Sequence, residues 1–74
     1  VVDIRIILKK ALLHESVSMV ICHNHPSGNL DPSVADELIT KKIKEASLLL
    51  DIRLLDHIIV SNEGHYSFAD HGKL

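Results

Sequence analysis

Two short apolar runs separated by a stripe of helical period restrict this chain more than anything else in it. Val17 to His23 (VSMVICH) is β-branched and apolar on both parities of an alternating pattern, which suits an interior strand covered above and below. From Ser33 the period changes. Ala35, Leu38, Ile39, Ile43, Ala46, Leu49 and Leu50 form one face, with lysines and glutamates elsewhere, so residues 33 to 50 read as an amphipathic helix. Leu54 to Val60 then reads as a second strand. Strand, helix and strand at this spacing make a βαβ unit with parallel strands and a right-handed crossover.

The flanks extend the unit at both ends. Residues 3 to 15 carry Ile4, Ile7, Leu8, Ala11 and Leu12 at helical spacing behind Asp3, a good N-cap. After the second strand, Asn62-Glu63-Gly64 turns the chain into a short third strand, His65 to Phe68, antiparallel to it. The expected fold is α/β in the order α-β-α-β-β, a mixed sheet flanked by helices, with residues 1–74 forming one domain at most. A chain of this length hides only roughly 60% of its surface on folding. Tyr66 and Phe68 are its only aromatics, so the core is expected to be built from Ile, Leu and Val, helped by a metal, a partner or a missing segment. A sheet edge left open also favours self-association, as a homodimer or larger oligomer.

Net charge is −2 with no basic block, so a phosphate-backbone partner is unsupported. Cys22 is the single cysteine, which forbids an internal disulfide and fits a reducing, cytoplasmic setting. No apolar stretch approaches the roughly 18 residues of a membrane span, and no leader pattern opens the chain.

The chemistry is concentrated in one stretch, His23-Asn24-His25-Pro26-Ser27-Gly28 followed by Asn29-Leu30-Asp31-Pro32-Ser33-Val34-Ala35-Asp36. Side chains on an extended segment alternate, so His23 and His25 point to one side and both rings can reach one ion. Pro26 and Gly28 turn the chain back, and the first turn of the next helix can bring Asp36 up as a third ligand. Two imidazoles and a carboxylate, with a fourth position for water, describe a catalytic zinc site rather than a closed structural one. Such sites also form outside the carboxyl ends of parallel strands, where this loop lies. Ser33 sits one turn before Asp36, where its hydroxyl could donate to a developing oxyanion.

Each half of the pattern has a plainer use. Ser33-x-x-Asp36 is also a helix-start signature, and Asp31-Pro32 competes for it, because Asp suits the cap and Pro the first helical position. If Asp31 caps, Ser33 and Asp36 are released for other work. A His-x-His pair alone is more often not a ligand pair. The two together are far rarer by chance than either.

His23-x-His25, seven residues, Ser33, two residues, then Asp36 resembles the H-x-H-x7-S-x-x-D core of the JAB/MPN (JAMM) metallopeptidases. The wording HNHPSG with PSxxD behind it is similar to the bacterial RadC-like branch, and the likeness continues through Leu55 to Val60. The resemblance implies helices around a mixed sheet of cytidine-deaminase-like architecture, Zn²⁺ held by His23, His25 and Asp36, Ser33 as oxyanion stabiliser, and hydrolysis of an amide or isopeptide bond in a peptide substrate. Proteins of this branch also carry a DNA-repair label, which fold alone does not support.

The resemblance further implies a general base, a Glu on a strand upstream of the first helix, and this chain begins too late to contain it, so that by this likeness residues 1–74 form a single partial domain. Glu15 does not substitute, because eight extended residues place it about 26 Å from His23. Glu37 projects about 100° from Asp36. Asp31 is close in sequence but better explained as a cap. The domain is therefore expected as an incomplete hydrolase, as a non-catalytic interaction or dimerisation module, or, against the acidic balance of the chain, as a DNA-repair-associated domain. His57 reads as a hydrogen-bonded structural histidine, Cys22 as a buried small apolar residue, and His14, His65 and His71 as solvated. Ser27 could orient the site but fits a tight turn without it.

Overall fold

A computed structural model describes residues 3–25 and 28–74. It contains α1 (Ile4–Leu13), β1 (Ser18–Asn24), α2 (Val34–Leu49), β2 (Arg53–Ser61) and β3 (Gly64–Ser67), the expected order with ends within two residues of those read from the sequence. Asp3 caps α1, its Oδ1 accepting from Arg5 N at 2.9 Å. Glu15, with φ 53°, ends that segment in the left-handed region that L-residues rarely adopt. No described helix is long and apolar enough to cross a membrane.

Among the described residues the sheet has three strands in the order β1-β2-β3. β1 and β2 are parallel, from Ser18 opposite Arg53 to Asn24 opposite Val60, with a register slip between Met19 and Val20. β2 and β3 are antiparallel, closed at Ser61 opposite Gly64. Gly64 has φ +139°, a conformation strained for any side chain, which accounts for glycine at the end of this turn.

Two expectations need correction. β1 is an edge strand in this sheet, and its burial alternates: Met19, Ile21 and His23 are half-buried while Val20, Cys22 and Asn24 are exposed. Cys22 is therefore an exposed thiol and not a core residue. The apolar character of the outward parity could not reveal which layers cover it. The core is also not purely aliphatic. Phe68 and Ile59 are fully buried and Tyr66 nearly so, with Leu30 and Leu74 packed against them. Tyr66 meets Phe68 edge-on at 5.5 Å between ring centroids, a favourable quadrupole arrangement.

Asp56 ties β2 to the turn that follows β3. Its Oδ1 accepts from His57 N at 2.7 Å and Ala69 N at 3.0 Å, and its Oδ2 accepts from Ser67 Oγ. Burial alone would raise its pKa, but the bonds from Ser67, Ala69 and His57 outweigh it and hold the carboxyl below its ordinary 3.8. A folded value below the unfolded one gives stability that is complete above 3.8 and is lost as pH falls through the folded value. Urea unfolding of the metal-free chain from neutral pH to about pH 3 is expected to show this loss, and Asp56→Asn to flatten it. An unchanged acid limb in Asp56→Asn would show that other carboxylates carry it.

Candidate metal centre

The carboxyl end of β1 delivers the first two side chains. His23 lies within the strand, and His25 N donates to Val60 O at 3.0 Å, so the extended conformation continues past Asn24. The alternation therefore holds, and both rings fall on one side with Nε2 to Nε2 at 2.8 Å. Gly28, with φ +82°, then donates to His25 O at 3.0 Å and reverses the chain. Pro26 and Ser27, read from the sequence as part of this turn, lie outside the described residues.

The third side chain comes from the start of α2. Ser33 is its N-cap, with Oγ accepting from Asp36 N at 3.0 Å while Asp36 Oδ2 accepts from Ser33 N at 2.8 Å. The helix begins at Val34, so Ser33 takes the cap that Asp31 was thought to contest; Asp31 N instead donates to Asn29 Oδ1. Capping does not exclude Asp36 from the site. Its Oδ1 lies 3.5 Å from His23 Nε2 and its Oδ2 lies 3.4 Å from His25 Nε2. Cap and cluster share one carboxylate, and the cap holds it in place.

His23, His25 and Asp36 form a group that could hold a metal ion, the only such group of three or more among the described residues. A tetrahedral ion with bonds of about 2.0–2.1 Å separates its ligand atoms by roughly 3.3 Å. The distances of 2.8, 3.4 and 3.5 Å bracket that spacing. The donors also carry their lone pairs where an ion needs them. His25 Nδ1 faces Asn29 O at 2.8 Å, and because a carbonyl only accepts, that nitrogen carries a hydrogen, which in the neutral ring puts the lone pair on Nε2. Side chains that are 25%, 21% and 18% exposed leave room for solvent to approach.

Burial holds the pKa of His23 below its ordinary 6.5, although the negative charge of Asp36 pulls the other way. Burial likewise lowers that of His57, with the neighbouring His23 adding to it. Burial would raise Asp36, but its bonds with Ser33 and the charges of His23 and His25 bring it below 3.8. These directions favour the ionised form of Asp36 and the neutral form of His23, the forms that ligation requires.

Behind His23 stands His57, only 2% exposed, with Nε2 at 2.6 Å from His23 Nδ1 and Nδ1 at 2.5 Å from Thr40 Oγ1. It is the buried, hydrogen-bonded histidine expected, but its partners were not legible. The available signal was parity, since His57 shares the inward face of β2 with Ile59. Thr40 was missed altogether. Glu37 is engaged elsewhere, its Oε1 accepting from Lys73 Nζ at 3.0 Å.

The family model for the RadC-like JAB domain matches residues 1–73. Over 72 residues the chain is 49% identical to a UPF0758 protein of Flavobacterium johnsoniae, covering 97% of this chain and 31% of that protein. It is 53% identical over 70 residues to a UPF0758 protein of Nitrosococcus oceani, covering 95% of this chain and 31% of that protein. With UPF0758 protein YeeS of Escherichia coli K12 the identity is 49% over 70 residues, 95% of this chain and 47% of that protein. The chain thus spans less than half the length of these relatives, while its own fold and its His-His-Asp cluster lie within the matched region. By that match the chain belongs to the RadC-like JAB domain family.

Proposed function

We propose that this domain binds one Zn²⁺ through His23, His25 and Asp36 and serves as the metal-bearing part of a hydrolase acting on amide or isopeptide bonds. The observation that carries the reading is the convergence of two imidazole Nε2 atoms and one carboxylate at spacings that suit a tetrahedral ion. Zinc in such a site would supply Lewis-acid polarisation of water, lowering its pKa from the bulk value toward about 7.

The chain's own groups have distinct parts in this reading. His25 is oriented by the carbonyl of Asn29, and Asp36 by the helix start it closes. Ser33 Oγ accepts from Asp36 N, which leaves its own hydrogen to donate. In a substrate complex that O–H is the candidate donor to a carbonyl oxygen gaining negative charge. The proton taken from water and returned to the leaving amine requires a base, and a carboxylate outside these 74 residues is proposed for that part.

Calorimetric titration of the metal-free chain with Zn²⁺ tests the first step. One ion per protomer is expected. A chain that takes up no zinc, or only several ions weakly at its surface carboxylates, would remove the site from consideration and favour an interaction module.

A further inference from the structure

The two elements that carry the cluster are joined behind it by hydrogen bonds whose direction can be worked out from one end. Thr40 Oγ1 lies 2.7 Å from the backbone oxygen of Asp36, and because a carbonyl has no hydrogen the hydroxyl donates there. A hydroxyl has one hydrogen. At its 2.5 Å contact with His57 Nδ1, Thr40 Oγ1 must therefore accept, and Nδ1 holds the ring hydrogen. A neutral imidazole has only one N–H, so His57 Nε2 is the acceptor in its 2.6 Å contact with His23 Nδ1. His23 then carries its hydrogen on Nδ1. Its Nε2 keeps a lone pair toward His25 and Asp36.

We propose that His57 and Thr40 are positioning residues that fix the tautomer and ring orientation of His23, so that Nε2 is presented to a metal ion before the ion arrives. The inference rests on the metal reading of His23, His25 and Asp36 and extends it to two residues that touch no ligand atom. Burial makes the arrangement obligatory, since His57 and Thr40 are each 2% exposed and solvent has no ready access to replace either partner. The His57 ring is also clamped, stacked on Phe68 at 4.6 Å with 6° between planes. His25 obtains the same tautomer from the carbonyl of Asn29, so the two imidazoles are set by independent devices. That of His23 also returns to α2, because the hydroxyl at its far end rests on the carbonyl of Asp36. Outer partners of this kind hold the ring of a ligating histidine and typically change metal affinity 10- to 100-fold when removed.

The deciding measurements are ¹⁵N NMR of the histidine side chains in the metal-free chain and titration with Zn²⁺ alone. In the unmutated chain His23 is expected as the Nδ1–H tautomer. Thr40→Val, close in shape but without the hydroxyl, is expected to bind zinc about 10-fold more weakly and to gain the Nε2–H form of His23. Thr40→Ser restores the hydroxyl and is expected to stay within about threefold of the unmutated chain, well inside the loss seen when an outer partner is removed. An Nε2–H tautomer at His23 in the unmutated chain overturns the inference whether or not any variant folds. So does a folded Thr40→Val with unchanged tautomer and affinity. Absence of zinc binding in the unmutated chain with His23 in the Nδ1–H form would instead overturn the metal reading, and the role proposed here would fall with it.

Discussion

Zinc affinity is expected to fall by more than about 100-fold in His25→Ala, beyond what removal of an outer partner typically costs. His25 is the cleanest of the three positions to change. Its Nδ1 is bonded to Asn29 O in an exposed loop, and among the described residues its Nε2 meets His23 and Asp36, so the fold loses little with it. His23→Ala and Asp36→Ala are expected to weaken binding at least as much, with added costs. The first leaves buried His57 Nε2 without its partner, and the second removes the bond from Ser33 N that completes the helix start, a loss of about 1 kcal/mol. Thermal unfolding of the metal-free proteins separates these costs, since His25→Ala should match the unmutated chain there. Equal zinc affinity in all four proteins would refute the assignment.

Turnover by the 74-residue chain is expected to stay near background even with zinc bound. Polarising water is half of the chemistry; a base must also take a proton from it and give one to the leaving amine. Asp36 is the only carboxylate in the cluster among the described residues, and its two oxygens already face Ser33 N and the two histidines as the proposed third ligand. General acid–base assistance typically contributes about 10²- to 10⁴-fold, so a longer form, if it carries the Glu that the family resemblance implies, should be faster by that order, and its Glu→Gln variant should lose it. Peptide and isopeptide substrates assayed against all three forms make the comparison. Zinc-dependent turnover by the short chain that vanishes in His25→Ala would defeat the expectation and single out Asp31 as the base.

The parts of the fold governed by local pattern were legible in the sequence. Asp3 and Ser33 sit where caps belong, the run 54–60 became β2, and the alternation at His23 and His25 put both rings on one side. What depends on the third dimension was not. Val20 and Cys22 look like core residues, yet they face outward, because edge or interior position is decided by which elements lie alongside. The series from Asp36 through Thr40 and His57 to His23 spans 17 residues at one link and 34 at another, and forms only when α2 lies back against β2. Ser33-x-x-Asp36 was legible as a motif but presented a false choice. One carboxylate closes the helix and faces the imidazoles.

That shared carboxylate separates two demands that usually coincide at one residue. A helix start of this type is served by Glu or Gln at the third position as well as by Asp. The histidines admit less freedom, because a longer side chain would carry its oxygens about one carbon–carbon bond from where they now sit, 3.4 and 3.5 Å from the two Nε2 atoms. Helix economy alone would thus leave residue 36 interchangeable among these side chains, and the imidazoles opposite narrow the choice to the shortest. The side chain's length is where the site leaves its imprint on the folding code of this segment.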